Sequence, residues 1–321
     1  MATVHLINPF WSVEGGSQQR ALLLFELLAE HTEVQLWSEY TIHPGFHGRY
    51  PIKAIRPEVG QFPKGGNIVF VGPYFTVGLW VKRAAARRAI IIFNTDNPTD
   101  LRLLSEGLRK NMGLEPEVVF SSKLLREMAP DFDGPIHHSP IDVSRFQSAP
   151  RQNAMFTVGK LCRDYETKHH PDDVALYRSL LNEGFRLRLM GAKSLEPDLP
   201  VHPNLTVLDV GAEPAEKFLN SLDVFFYRTR PDYLEAFGRV VVEAMACGLP
   251  VVAEDRHGYT DVLEHGKGGF LFKDQEQVLP MLNALRDDSA EYNRQSDIAA
   301  RIAQRTFSAE KLREQIDFYM R

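Results

Sequence analysis

The sequence predicts an α/β protein built from two doubly wound parallel-sheet domains. Short runs rich in Val, Ile, Leu and Phe alternate with helical stretches along the whole chain. Those runs are continuously apolar rather than alternating, which marks strands covered on both faces. The length of 321 residues, 44% of them hydrophobic, suits one large or two medium domains, each able to bury a core.

In the first half, strands are expected at VHLI, VQLW, NIVFVG, AIIIF and EVVFSS, with helices at SQQRALLLFELLAEH and TDLRLLSEGLRKN. The second half repeats the rhythm with AMFTVGK, RLRLMG, LTVLD, DVFFY, PVVA and GGFLF. Helices fall between these at DDVALYRSLLNEG and AEKFLNSL, and from Phe237 to Cys247. The polar, proline-containing stretch 147–154, QSAPRQNA, is the expected join. Domains are therefore placed at 1–148 and 149–305, followed by a last helix in 306–321. No repeat of 20 to 50 residues and no low-complexity tract is present.

Composition excludes several classes. A formal charge of -5 gives no electrostatic reason to expect nucleic acid. The two cysteines, Cys162 and Cys247, form neither a disulfide framework nor a zinc ribbon and suit a reducing cytosol. The opening MATVHLINPFW lacks the charged and long apolar regions of a signal peptide. No apolar run approaches the ~20 residues that span a bilayer. The expected location is the cytoplasm.

In doubly wound sheets, ligands sit beyond the carboxyl ends of the strands. The loop FWSVEGGSQQR follows the first strand, and Gly15-Gly16 there either seats an anion at the next helix N-terminus or simply turns the chain. No GxGxxG follows a strand, and the glycines of 266–269 lack P-loop spacing and read as a turn. In GKLCRDYETKHH, Lys160, Arg163 and Lys168 stand where a phosphate could be held, or lie on a solvated surface. The pairs His137-His138 and His169-His170 come without a carboxylate triad or HExxH, so no metal is expected. Asn94, Thr95 and Asp96 follow the strand AIIIF; either Asp96 serves chemistry, or Asp96 or Thr99 caps the next helix. Lys82, Arg83, Arg87 and Arg88 crowd one helical segment, a solvated face or a dock for anionic lipid.

The stretch DYLEAFGRVVVEAMACGLPVVA, residues 232–253, is the most informative. Glu243 lies inside an otherwise apolar helix and Glu235 stands eight positions earlier, although carboxylates are rarely buried without a partner. From Gly238 to Glu243 the helix rises ~7.5 Å. A diphosphate at the helix N-terminus would put a ribose about that far along, within reach of a charge-assisted contact. The alternative is a local ion pair with an arginine such as Arg239.

EAFGRVVVEAMACGLPVVAEDRHGYTDVLEHGKGGFL resembles the donor-binding signature of family-4 (group 1) retaining glycosyltransferases, with its E-x7-E motif. FWSVEGGSQQR, VVFSSKLLREM with SPIDVSRF, and VGKLCRDYETK are similar to further motifs of that family, so the likeness runs along nearly the whole chain. It implies the GT-B architecture: two Rossmann-like domains facing across a cleft, with the helix SAEKLREQIDFYM packing back on the first. It implies transfer of a sugar from a nucleotide-diphosphate sugar to a glycan or lipid-linked acceptor, with retention and without metal or other cofactor. By that resemblance Glu243 binds ribose, Glu235 binds the transferred sugar, and Gly15, Gly16, Lys160, Arg163, Lys168, Ala236, Phe237 and Gly238 line the donor. Glu235, Lys160 and Asp96 are the expected catalytic residues, with Asn94 and Asp96 on the acceptor side.

Departures from the family pattern are Lys160 for an arginine, Arg228-Thr229 for Pro-Ser, Asp261 for a glutamate, and FNTDNP where a histidine loop is usual. The competing expectations are a non-hydrolysing nucleotide-sugar epimerase and a catalytically inactive nucleotide-sugar-binding subunit. A lipid-linked acceptor would bring peripheral contact with the inner membrane face through Lys82–Arg88.

Overall fold

The computed structural model describes residues 3–13, 15–150 and 153–321. Two compact units are formed: Met1–Pro140 together with Ser308–Arg321, and Ile141–Phe307. Arg151 and Gln152, in the expected join, lie outside the described residues.

The first unit contains β1 (Val4–Ile7), α1 (Gly16–Ala29), β2 (Val34–Ser38), β3 (Ile52–Ala54), β4 (Asn67–Val71), β5 (Arg88–Phe93), α2 (Pro98–Met112), β6 (Glu117–Phe120) and α3 (Lys123–Met128). The second contains β7 (Thr157–Leu161), α4 (Asp173–Asn182), β8 (Arg186–Met190), β9 (Leu205–Leu208), α5 (Ala215–Leu219) and β10 (Val224–Tyr227). It continues with α6 (Arg239–Ala246), β11 (Val251–Glu254), β12 (Gly269–Phe272), α7 (Val278–Asp287) and α8 (Ser289–Thr306). The last helix, α9 (Ala309–Met320), belongs to the first unit.

Both sheets are six-stranded and parallel throughout, in the orders β3-β2-β1-β4-β5-β6 and β12-β11-β10-β7-β8-β9. Renumbered from its own first strand, the second order repeats the first. Each sheet therefore has one point where the strand order reverses, β1/β4 in the first and β7/β10 in the second. A doubly wound sheet leaves its ligand crevice at that point, because neighbouring connections depart to opposite faces.

Apolar runs became buried strands because helices cover both faces: Leu6, Val69, Ile90 and Ile92 are fully buried in the first unit, as are Phe226 and Val252 in the second. The three-residue β3 was not expected, since its partly exposed IKA lacks an apolar run. Residues 141–149 differ from the expected boundary at 148. Arg145 pairs with Glu216, and Asn220 binds both Ala149 N–H and Gln147 O, which ties this stretch to the second unit. Ile316 and Tyr319 of α9 enter the core of the first unit, and Asn67 donates to Tyr319 O at 2.9 Å. Among the described residues no helix is long and apolar enough to cross a membrane.

The basic segment is not the expected helix. Lys82 and Arg83 end a 3-10 turn (Leu79–Arg83), Ala85 adopts φ 48°, and Arg88 opens β5. Arg88 is already neutralised by a two-pronged pair with Glu117 at 2.6 and 2.8 Å. Lys82, Arg83, Arg87 and Arg88 therefore do not share one helix.

Candidate donor site

The reversal point of the second sheet gathers most of the residues singled out from the sequence. Beyond β7 the chain carries Arg163 and a 3-10 turn, Glu166–Lys168; beyond β10 it carries Arg228 to Gly238. Gly238 caps α6 with φ 76° and ψ 57°, a left-handed conformation that favours glycine. A Cβ there would also lie 2.6 Å from the Tyr259 ring. Phe237 is buried against Phe307, which fixes the approach to the helix. The α6 N-terminus, the positive end of the helix dipole, is thus held at the crevice.

Lys168 and Glu235 meet at this point. The Lys168 ammonium donates to Glu235 Oε2 and to Tyr233 Oη at 3.1 Å, and lies 4.3 Å from the centroid of the Tyr233 ring. Tyr227 Oη donates to the same Glu235 oxygen at 2.7 Å. Burial alone would push the Glu235 carboxyl up, but the Lys168 charge and these hydrogen bonds hold it below the usual carboxylate range. The Lys168 ammonium is displaced upward: burial opposes its charge and Glu235 outweighs that effect.

The backbone of Glu235 is held from the loop after β11. His257, fully buried, accepts the Glu235 amide on Nδ1 at 3.1 Å, so its proton resides on Nε2, 3.3 Å from Thr229 Oγ1. Desolvation lowers the His257 pKa and keeps the ring neutral for this task. Arg256 donates to Pro231 O, Arg230 O and Thr229 Oγ1, binding the other side of the same loop. Sequence reasoning missed His257 and Arg256. The signal was available as a lone Arg-His pair directly after a core strand.

Glu243 is largely buried, and its Oε1 accepts from Arg239 at 3.3 Å, one helical turn away. The local ion pair weighed from the sequence is therefore present. Its length is at the long end for a charge-assisted bond, and both side chains stay partly open at 14% and 16% exposure. Ala236 is half-buried between Glu235 and Phe237. Arg163 is half-buried, 4.9 Å from the Tyr165 ring centroid.

Lys160 is corrected by the structure. Its ammonium is buried and pairs with Asp173 Oδ2 at 2.9 Å, while Arg228 Nε takes Asp173 Oδ1 at 2.6 Å. His170 N–H adds a third bond to Asp173. Burial disfavours the Asp173 charge, yet Lys160 and Arg228 keep its pKa below the ordinary value. The Lys160 ammonium is thus held inside the unit by an aspartate rather than standing open in the loop after β7. Arg228, where the family pattern has another residue, supplies the second cation.

In the first unit, Gly15 precedes α1 and Gly16 opens it, exposed, with open space around its Cβ position. Beside them Ser17 Oγ receives hydrogen bonds from Asn8, Asn94 and Tyr74, at 2.7 Å, 3.2 Å and close contact respectively. Asn94 Oδ1 and Thr95 Oγ1 are buried with no partner among the described residues. Asp96 is exposed, and the cap of α2 is Asn97, which accepts Thr99 N–H at 3.0 Å. Neither Asp96 nor Thr99 caps the helix.

His137 is a core residue against Tyr319 and Phe318, and His169 bonds Asp164. Among the described residues no group of three or more His, Cys, Asp or Glu could hold a metal ion. Burial pushes the Cys162 and Cys247 thiols up to about 11 and 12, which makes them poor nucleophiles. A cavity of about 270 Å³ near Cys247, Asn220 and Tyr292 is lined by none of the donor-site residues.

Residues 205–302 match the family Glycosyl transferases group 1. A capsular polysaccharide biosynthesis glycosyltransferase, CapM of Staphylococcus aureus, is 26% identical over 129 residues, covering 37% of this chain and 33% of CapM. Sucrose synthase 2 of Pisum sativum is 38% identical over 74 residues, covering 21% of this chain and 9% of the synthase. These matches therefore span a third or less of the relatives' lengths. Among solved structures, HepE of Anabaena, in complex with UDP-glucose, superposes with a TM-score of 0.76 at 17% identity, covering 99% of both chains. WaaG, a glycosyltransferase involved in lipopolysaccharide biosynthesis, gives a TM-score of 0.71 at 12% identity over 98% of this chain and 99% of its own. The resemblance to group 1 glycosyltransferases and the GT-B fold is thereby shown.

Proposed function

We propose that this chain, whose second unit carries the group 1 glycosyltransferase pattern, moves a sugar from a nucleotide-diphosphate sugar to a glycan or lipid-linked acceptor, with retention. The observation that carries the reading is the Lys168–Glu235 pair beside the α6 N-terminus, at the reversal point of the second sheet. Glu235 Oε2 is engaged by Lys168 and Tyr227, which fixes the carboxylate so that Oε1 can accept hydroxyls of the transferred sugar. The α6 amides and the Lys168 charge favour a diphosphate, whose negative charge grows as the sugar departs. Glu243, ~7.5 Å along the helix, takes the ribose hydroxyls, its long contact with Arg239 giving way to them.

Charge neutralisation by these groups makes an added metal unnecessary in this scheme. Asp96 and Asn94 are the acceptor-side groups, Asp96 accepting or orienting the incoming hydroxyl. The work is assigned to the cytoplasmic side of a membrane or to the cytoplasm itself. Because HepE is described with UDP-glucose, a uridine diphosphate sugar is the first donor to try.

The test is thermal stabilisation by UDP-, GDP- and ADP-sugars, followed by transfer assays with the stabilising donor in the presence of EDTA. Stabilisation by one nucleotide class and turnover that survives the chelator is the expected result. Turnover of nucleotide sugar to its epimer without any acceptor would replace the transferase reading by an epimerase.

A further inference from the structure

Three aromatic side chains stand together where the first sheet ends. Trp11 follows β1, Tyr40 follows β2 and Tyr74 follows β4, and these strands are neighbours in the sheet. Trp11 is 52% exposed and Tyr40 38% exposed. The Trp11 ring centroid lies 5.4 Å from that of Tyr40 and 6.1 Å from that of Tyr74. The other two tryptophans, Trp37 and Trp80, are 5% and 2% exposed, so an open indole is not the habit of this chain.

The cluster is held in place from beneath. Phe10 adopts φ 49°, a conformation uncommon outside glycine, with its ring buried against Phe46 at 5.6 Å while the next residue, Trp11, turns out to solvent. Ser38, nearly fully buried, ties two of the loops: its hydroxyl lies 2.7 Å from Pro9 O and accepts the Tyr40 amide at 3.2 Å. Gly72 has φ 108°, and a Cβ there would fall 2.3 Å from the Tyr74 ring, so a glycine is what lets Tyr74 fold across.

A polar layer lies beneath Tyr74, whose Oη bonds Ser17, which also receives Asn94. Aromatic faces are electron-rich and attract the C–H face of a pyranose. Anionic lipid would call for Lys or Arg around such aromatics. The three loops, residues 8–17, 39–45 and 72–78, contain neither.

We propose that Trp11, Tyr40 and Tyr74 form a stacking platform for a neutral sugar ring of the acceptor glycan. This rests on the transferase reading above and adds the class of acceptor to it. Trp11 is the one solvent-open tryptophan, so iodide quenching of fluorescence in the full chain reports on it directly. Maltohexaose, cellohexaose and the hexamer of N-acetylglucosamine are the probes, beside vesicles of phosphatidylglycerol and phosphatidylethanolamine. At least one saccharide is expected to lower the iodide quenching constant ~2-fold or more by covering the indole face. By calorimetry, Trp11→Ala should lose that saccharide ~10-fold or more and Trp11→Phe should keep most of it, the scale of one stacked ring. UDP-sugar stabilisation is measured on the same proteins. Nucleotide binding without protection of Trp11 by any saccharide overturns the platform alone, and so does protection by vesicles only. Saccharide protection without any nucleotide binding leaves the platform and removes the transferase reading.

Discussion

The Lys168 ammonium rests on the Glu235 carboxylate at the one place in the second sheet where the strand order reverses. The two residues are 67 positions apart, and each arrives on a loop after a different strand, β7 and β10. Changing Lys168 to Gln, which still donates a hydrogen bond to Glu235, should lower kcat/KM by ~10²-fold, the scale for removing charge stabilisation of a leaving group. Nucleoside without phosphate should bind the variant as it binds wild type. Equal loss for nucleoside and nucleoside diphosphate would remove Lys168 from the phosphate site.

Glu243→Ala should weaken nucleoside diphosphate binding by roughly 1.5–3 kcal/mol, as for a lost hydrogen bond to a charged group. Arg239→Ala separates the two roles of that carboxylate. If Glu243 serves ribose, freeing it from its 3.3 Å ion pair leaves nucleotide affinity unchanged or improved. Calorimetric titration of both variants decides, with unchanged affinity in Glu243→Ala returning the residue to a helix-stabilising pair.

The buried Lys160–Asp173–Arg228 group should govern stability rather than donor affinity. Breaking a buried pair from one side costs about 3–5 kcal/mol. Lys160→Ala and Asp173→Asn should each lose stability on that scale in denaturant titration, while the folded fraction binds nucleotide normally. The pH dependence has a definite sign. The folded Asp173 pKa lies below its unfolded value, so its contribution is complete above the unfolded value and fades as pH falls through the folded one. The deficit of Asp173→Asn should therefore be flat at neutral pH and shrink in acid below about pH 4.

His137 should make the first unit acid-sensitive over a higher range. Burial, with Arg20 nearby, lowers its pKa from 6.5 to about 4. Between these values the unfolded chain binds the proton and the folded one does not, so stability falls as pH drops, by about 3 kcal/mol in all. His137→Asn should flatten the unfolding free energy across that interval. An unchanged slope would assign the acid sensitivity elsewhere.

Asp96→Asn should keep its melting temperature and its nucleotide affinity, because the cap of α2 is Asn97. Transfer should fall by ~10²-fold if Asp96 positions or accepts the acceptor proton. Single-turnover transfer at wild-type rate would leave Asp96 as an exposed loop carboxylate.

The sheets were legible in the sequence because continuous Val, Ile and Phe runs have no other use in a chain of this polarity, as AIIIF and DVFFY show. The half-exposed β3 gave no such signal. At the candidate site, Glu235, Gly238 and Glu243 could be singled out because one local stretch contains them. The burial of Lys160 was not readable because its partner is set by the packing of α4, where Asp173 and not Asp172 turns inward. The basic run at 82–88 looked like one helix, but Ala85 turns left-handed and Arg88 is claimed by the neighbouring strand. Spacing records how residues repeat along the chain, and these errors are all about which way the backbone goes next.

The return of α9 to the first unit sets a timetable for synthesis. Asn67 meets Tyr319 across 252 positions, and the core of the first unit includes Ile316 and Tyr319. A ribosome adding about 5–20 residues per second leaves that core open for roughly ten to fifty seconds after Asn67 is made. During that interval the second unit can complete its own core, while the unfilled seat for α9 leaves apolar surface of the first exposed. The first unit, although the earlier to leave the tunnel, is thus the later to close its core.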